Sequence, residues 1–329
     1  KLATPTYIEE AIRPNVTGRF SDLLIAVTTH PIMLHYLDQD LSTGPNSPVS
    51  QKNKKLKGLN ENLAREVLEL HTLGVGGPYG QNDVRELAEL FTGLSQSPRE
   101  GFAFRPRMAE PGTETILGKE YGGDPSLEPI VQVLTDLALR PVTARHIATK
   151  LAVHFLSDTP DPALVDHLAA RYRQTQGDLM QVYAALLEHP ASWSDPLMNV
   201  KPPFAFVASA CRALAVPPAQ LQGSKPNRLR RGVMAPLAVM GQVWLPPAGP
   251  NGWPEEDDAW ITPQGLAARM RWAMVAPSEF RRDLPDPRQF HKDVLGRYAS
   301  AQVQFAAQAA ETRAEAIGLI LISPGFQRR

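Results

Sequence analysis

Apolar residues recur at three- and four-residue spacing along most of this chain, the signature of helices with one buried face. The first such run is "GRFSDLLIAVTTHPIMLHYLD", where Leu23, Leu24 and Val27 are followed by Ile32, Met33, Leu34 and Leu37. Pro31 either breaks it or opens a second helix as its first residue. Residues 41–58 are polar and loop-like. In "NENLAREVLELHTLG", residues 60–74, Leu63, Ala64, Val67, Leu68 and Leu70 make one wide apolar stripe. Gly74 is placed to end that helix in the left-handed conformation. "QNDVRELAELFTGLS" predicts another helix, with Asp83 in its first turn and Leu87, Leu90 and Phe91 on its buried side.

The pattern returns from residue 125. "SLEPIVQVLTDLALR", "TARHIATKLAVHFLS", "PALVDHLAARYRQT", "DLMQVYAALLEH" and "KPPFAFVASACRALAV" each read as a helix. A short "RGVMAPLAVMG", then "TPQGLAARMRWAMVA", then a last run to "SPGF" complete the set. Thr143, Asp178 and Thr262 stand where N-caps belong, with Pro263 at a first helical position. Two stretches depart from this. Residues 99–123 alternate Phe102 and Phe104 with small or polar residues and include the β-prone "TETILG", which predicts a small hairpin or irregular flap. Residues 242–261 are non-helical and rich in Trp and Pro. The expected fold is therefore all-α. It is one domain over 1–329, with about nine or ten packed short helices, Pro-rich loops and a β-like flap near 100–120. No fixed repeat period appears, which argues against a solenoid.

Composition narrows the function classes more than it names one. Formal net charge is zero, so the chain has no overall electrostatic pull toward nucleic acid or anionic membrane. The basic groups Lys52, Lys54, Lys55 and Lys57, and Lys225, Arg228, Arg230 and Arg231, lie among loop-forming residues and read as solvated. No apolar stretch approaches the length of a membrane span. The first residues carry no signal-peptide pattern and begin on Lys1, as if from within a longer or processed chain. The single cysteine, Cys211, lies in an apolar run and is expected in the core.

Candidate chemistry concentrates on two helices. Asn62, Glu66 and Glu69 share one stripe beside Arg65, since helix neighbours are three and four residues apart. Neighbouring carboxylates push their pKa values apart and can serve as acid and base. They can equally accept hydrogen bonds from basic groups on a packed helix, as a polar seam. His146, Lys150 and His154 follow at four-residue steps and can supply those partners for Glu66 and Glu69. Lys150 suits an ion pair, an anion clamp or a shifted acid/base, but ammonium is no metal ligand. His154 beside Phe155 reads as a half-buried core histidine. Arg85 can line the same inter-helix pocket. Metal-binding spacings, a nucleophile elbow and a phosphate loop are absent, and no cofactor is evident. "GVGGPYG" follows a helix rather than a strand and reads as a cap and tight turn. Gln242, Trp244, Trp253 and Trp260, with Pro246, Pro247 and Pro254, make either an aromatic wall for a flat ligand such as a carbohydrate or a seal over helices.

"NENLAREVLELHTLGVGG" with "DVRELAELFTG", then "TARHIATKLAVHFLSDTPDPALVDHLA", then Gly241-Gln242, Pro246-Pro247, Gly252-Trp253 and Trp260, then "SPGFQ", resemble the bacterial domain-of-unknown-function family 1800. These signatures run in order from about residue 13 to the C-terminus. The resemblance implies no established activity. It implies a periplasmic or secreted bacterial protein, often encoded beside a partner resembling sulfatases and alkaline phosphatases, with an N-terminal segment of the family domain missing before Lys1. The family's flap reads His-Asp, then Gly, then Lys before "LG". Here Ala109 and Glu110 stand in place of His-Asp, and Glu114 in place of Lys. Two function classes follow. One is a protein acting on or binding extracellular polymers or their fragments through Glu66, Glu69, His146 and Lys150, with Asn62, Arg85, Gln242, Trp244, Trp253 and Trp260 as binding groups. In that class, hydrolysis or elimination fits better than redox chemistry. The other is a non-catalytic binding or scaffold protein that acts with the hydrolase-like partner.

Overall fold

Helix ends follow local chemistry. His30 caps helix α2 (Pro31–Tyr36) by accepting from the Ile32 N–H, which starts it one residue after α1 (Phe20–Thr29) ends. The computed structural model describes residues 3–53, 58–97, 101–222, 226–245, 247 and 249–329. Lys54, Lys55 and Lys57 of the first basic run, Lys225 of the second, and Pro246 lie outside the described residues. By their contacts, the chain divides into two compact units, Lys1–Ala152 with Pro160–Ser192, and Val153–Thr159 with Trp193–Arg329. As expected, the fold is mostly helical with a small β component.

In the first unit, α3 runs over Asn62–Glu66 and continues as a π-helical segment, Val67–Thr72. Leu63, Ala64, Val67 and Leu68 are fully buried, so the apolar stripe is the packing face. Gly74 has φ +86°, the left-handed stop expected of it. Helix α4 is Gln81–Leu90, and its Asp83 accepts from the Gly80 N–H at 2.8 Å. The spacing predicts helix through Ser95, but Gly93 turns left-handed at φ +92° and the chain becomes a strand. A Cβ at Gly93 would stand 2.9 Å from the Phe104 ring, which only glycine avoids. Two antiparallel hairpins form the flap. Strand β1 (Leu94–Ser97) pairs with β2 (Gly101–Phe104), and β3 (Gly112–Ile116) with β4 (Lys119–Gly123).

Helices α5 (Glu128–Ala138), α6 (Pro141–Phe155), α7 (Pro162–Gln174) and α8 (Leu179–Glu188) follow. Asp178 caps α8 as expected. Thr143 does not cap α6: the helix already begins at Pro141, and the buried Thr143 hydroxyl donates to the Leu137 carbonyl at 2.7 Å. Ala144, Ala148 and Ala152 give α6 a thin buried face that lets neighbouring elements approach closely.

The second unit holds α9 (Pro203–Ala213) and α10, which runs over Pro226–Leu229, a π-helical Arg230–Met234 and Ala235–Val239. Helix α11 (Pro263–Phe280) is capped by Thr262 with Pro263 first, as expected. Helices α12 (Pro287–Leu295), α13 (Ala301–Ala309), α14 (Arg313–Ile322) and α15 (Pro324–Gln327) complete it. Its core gathers Phe206, Leu214, Leu237, Ala273, Ile317 and Ile320. The "SPGFQ" signature proves to be a lock on two cations, the buried Arg269 and the half-buried Lys201. Arg269 donates to the Gln327 side chain at 2.7 Å and to the Lys201 carbonyl at 2.8 Å. Lys201 donates to the Phe326 carbonyl at 2.6 Å and lies over its ring. Burial pulls the Arg269 guanidinium down to about 10. Burial, then the Arg329 charge, pulls Lys201 down to about 8. Cys211 is buried, and burial pushes its thiol up to about 11, so it is a core residue and no nucleophile. Among the described residues, no helix is long and apolar enough to cross a membrane.

Candidate functional site

The π-helical end of α3 determines where the site chemistry goes. In a π-helix the backbone bonds reach five residues back, and here Leu73 N–H donates to the Leu68 carbonyl at 2.9 Å. The His146 Nε2 lies 3.1 Å from the Leu70 carbonyl. A carbonyl only accepts, so Nε2 carries the proton and the Nδ1 lone pair of a neutral ring is left over. That Nδ1 has no hydrogen-bond partner among the described residues and lies 3.0 Å from where a Cβ on Gly74 would stand. Gly74 is therefore required twice, for its left-handed φ and for room beside the imidazole. Burial pulls the His146 pKa below the ordinary imidazole value; the Leu70 carbonyl opposes this, and Lys150 adds to it.

His146 lines an open groove of about 670 Å³ in the first unit. The turn at Leu73, Gly74 and Val75 forms one wall, and α6 and α7 the others, with Arg145, Thr149, Asp166 and Arg173 facing in. Arg145 pairs with Asp166 across the groove. Arg173 is exposed and, among the described residues, has no ion-pair partner. Val75 is 79% exposed and Val142 36%, so apolar surface borders the cations.

The expected pairing of Glu66 and Glu69 with His146 and Lys150 is not the one these groups make. Glu69 accepts from Arg65 at 3.0 Å, four residues back on its own helix, and Tyr79 donates to it. Arg65 also reaches Glu61 at 3.3 Å and Gln81 at 3.0 Å. These pairs are a quarter or more open to water, so each stabilises by about 1 kcal/mol at most. Glu66 has no ion pair among the described residues; burial, then Glu69, raises its pKa. Lys150 is exposed. The histidine that approaches α6 is His71, one the sequence offered only as part of "LELHTLG". Burial, then the charges of His146 and Lys150, pulls it down to about 4. Its Nδ1 is buried without a hydrogen-bond partner.

The remaining candidates fall elsewhere. Asn62 opens α3, its N–H donating to the Asn60 side chain at 2.9 Å. Arg85 is exposed and pairs with Glu89. In the second unit, His154 is half-buried as expected, but its side chain, 42% exposed, pairs with Glu255 at 2.9 Å instead of packing in the core. Gln242 accepts from the Phe204 N–H at 2.7 Å, and Trp244 packs on the Phe204 ring. Trp260 is buried and donates to the Pro254 carbonyl, with Trp253 at 6.3 Å between ring centres. Trp244, 40% exposed, therefore shows far more of its ring to solvent than Trp260. Among the described residues, no three His, Cys, Asp or Glu side chains converge as a metal-binding group.

The flap contains the strongest electrostatic conflict. Glu114 on β3 is only 4% exposed. Its carboxyl makes no ion pair among the described residues, and the charges of Glu110, Glu89 and Glu86 act on it. Burial first, then those three charges in that order, push Glu114 up to about 8, while its own N–H opposes them. Glu110 is held by Asn46, through the Asn46 N–H at 2.8 Å and its side-chain amide at 2.5 Å.

A family model described as "Protein of unknown function (DUF1800)" matches residues 1–328. The chain belongs to that family. The match covers essentially all of the sequence, wider than the span of the signatures read from about residue 13. Neither a curated protein nor a solved structure matches it. Within this DUF1800 chain, the signature "NENLAREVLELHTLG" is the stretch that brings Leu73 and Gly74 to the groove and the Leu70 carbonyl to His146.

Proposed function

We propose that the groove beside His146 binds acidic fragments of an extracellular polymer, and that His146 is its acid–base group. The observation that carries this is His146, anchored through Nε2 to the Leu70 carbonyl, in the wall of a groove that also presents Arg173; burial favours its neutral form, whose Nδ1 keeps a lone pair. A guanidinium recognises a carboxylate or sulfate by paired hydrogen bonds. An acid group held there places the neighbouring C–H within the reach of a base, which suits elimination. Glu66, Glu69 and Lys150, on the same two helices, remain candidate acid and base groups. The family resemblance supports a periplasmic or secreted setting.

The rival reading is a binding or scaffold protein beside a sulfatase- or phosphatase-like partner. It is favoured by Ala109, which is buried and brings no titratable group where the family pattern has His.

The test is incubation of the full chain with oligogalacturonate while following formation of the unsaturated, ultraviolet-absorbing product end. His146→Gln is expected to lower kcat by about 100-fold or more, with binding retained. Because the neutral ring is the active form, wild-type kcat falls as pH drops through the His146 pKa, below the ordinary 6.5. Binding without turnover in the wild type supports the rival, and no binding at all sinks the groove reading.

A further inference from the structure

The second unit contains a groove that the His146 reading does not touch. One bay, of about 590 Å³, lies between the π-helical turn of α10 and the C-terminal half of α11. Its floor is apolar: the edges of Trp272 and Phe280, with Val275 and Ala276. Gly232 keeps it open, since a Cβ there would stand 3.2 Å from the tip of Phe280. The Trp272 indole N–H is already used, donating to the Gly232 carbonyl at 2.8 Å, so this floor offers contact area rather than hydrogen bonds. A second bay, of about 640 Å³, adjoins it and shares Arg228, Glu279 and Phe280 with the first. This one is polar, with Arg281 and Arg282 on its wall.

Charge is one-sided along both bays. Arg228, Arg231, Arg281 and Arg282 face a single acidic side chain, Glu279, among the described lining residues. Arg228 donates to the Glu279 backbone carbonyl at 3.0 Å and Arg281 to the Leu214 carbonyl at 2.9 Å, which anchors both without neutralising them. Arg231 and Arg282 have no ion-pair partner among the described residues. Clustered uncompensated guanidinium groups raise the local concentration of anions. An apolar bay running into a cationic bay matches a molecule that is apolar along its length and anionic at one end.

We propose that this groove binds an amphipathic anion of the fatty-acid class. The chain lies on Trp272, Val275 and Phe280, and the carboxylate sits among Arg228, Arg281 and Arg282. The apolar part contributes by leaving water, and the head fixes direction and selects against neutral chains.

The experiment is calorimetric titration of the full chain with dodecanoate below its micelle concentration, with dodecanol and acetate as comparison probes. Val275 is 54% exposed and Arg282 is exposed, so Val275→Glu and Arg282→Glu are expected to leave the thermal melting curve unchanged. One saturable dodecanoate site is expected, weakened tenfold or more by each variant. Dodecanol binds at least tenfold more weakly than dodecanoate, and acetate shows no measurable heat. Unsaturable uptake, equal affinity for dodecanol, or wild-type affinity in both variants overturns the proposal.

Discussion

At pH 8, Glu114→Gln melts about 5 °C above the wild type, and at pH 4 the two melt together. The folded Glu114 holds its proton up to about pH 8, whereas an unfolded glutamate loses it near 4.5. Stability is therefore complete below pH 4.5 and declines as pH rises through the window to about 8. The decline has a visible cause: a carboxyl only 4% exposed, acted on by the charges of Glu110, Glu89 and Glu86 and without an ion-pair partner among the described residues. The neutral amide does not ionise, so the variant keeps what the wild type loses. Relaxation and water entry reduce the gain to roughly 2 kcal/mol, which for a unit of this size is about 5 °C. Glu114→Lys is expected to do at least as well, because an ammonium at that position meets three carboxylates. The Lys that the family pattern places there has the same physical logic, and this chain departs from it. Melting curves by circular dichroism at four or five pH values decide the matter. A gain that is the same at pH 4 and pH 8 contradicts the linkage.

On the acid side, His71→Leu removes most of the stability loss between pH 6.5 and about 4. Burial, His146 and Lys150 hold His71 neutral when folded, while the unfolded ring gains its proton near 6.5. As pH falls below 6.5 the unfolded state binds the extra proton, and stability drains away until the folded pKa near 4. The loss amounts to roughly 3 kcal/mol at full development. Leucine neither titrates nor leaves the unpartnered Nδ1 in the core. Denaturant midpoints from pH 7 to pH 4 check this by difference: the wild-type midpoint drops relative to the variant's as pH falls, the gain from Glu114 protonation being common to both. A variant that falls as steeply assigns the acid loss to other groups. The two substitutions act on opposite limbs, so each also controls for the other.

Much of this architecture is legible in short-range chemistry. Pro31 behind His30, Asp83 behind Gly80, Asp178, and Thr262 with Pro263 announce helix starts, because each offers an acceptor to orphan N–H groups or a preset φ. Gly74 announces its stop for the same local reason. Thr143 misled because its hydroxyl found a carbonyl six residues back. Helix spacing through "FTGLS" concealed β1 because Gly93 needs the Phe104 ring, which lies in another strand, to show what it is for. The π-helical segments are the larger miss. A widened turn leaves no mark in a pattern read at 3.6 residues, yet it is what turns His71 toward α6 and offers the Leu70 carbonyl to His146. The spacing places Asn62, Glu66 and Glu69 on one stripe beside Arg65, and for Glu69 that partner on its own helix won over those on α6. Arg173 has no local signature at all: its role comes from α7 lying beside the groove.

The central claim is that the His146 groove takes an acidic ligand through Arg173. Calorimetric titration with oligogalacturonate, set against a neutral oligosaccharide of equal length, tests it most directly when wild type is compared with Arg173→Glu. The account predicts saturable binding of the acidic chain alone, weakened tenfold or more by Arg173→Glu. Equal affinity in the variant, or binding that Arg282→Glu abolishes instead, contradicts it.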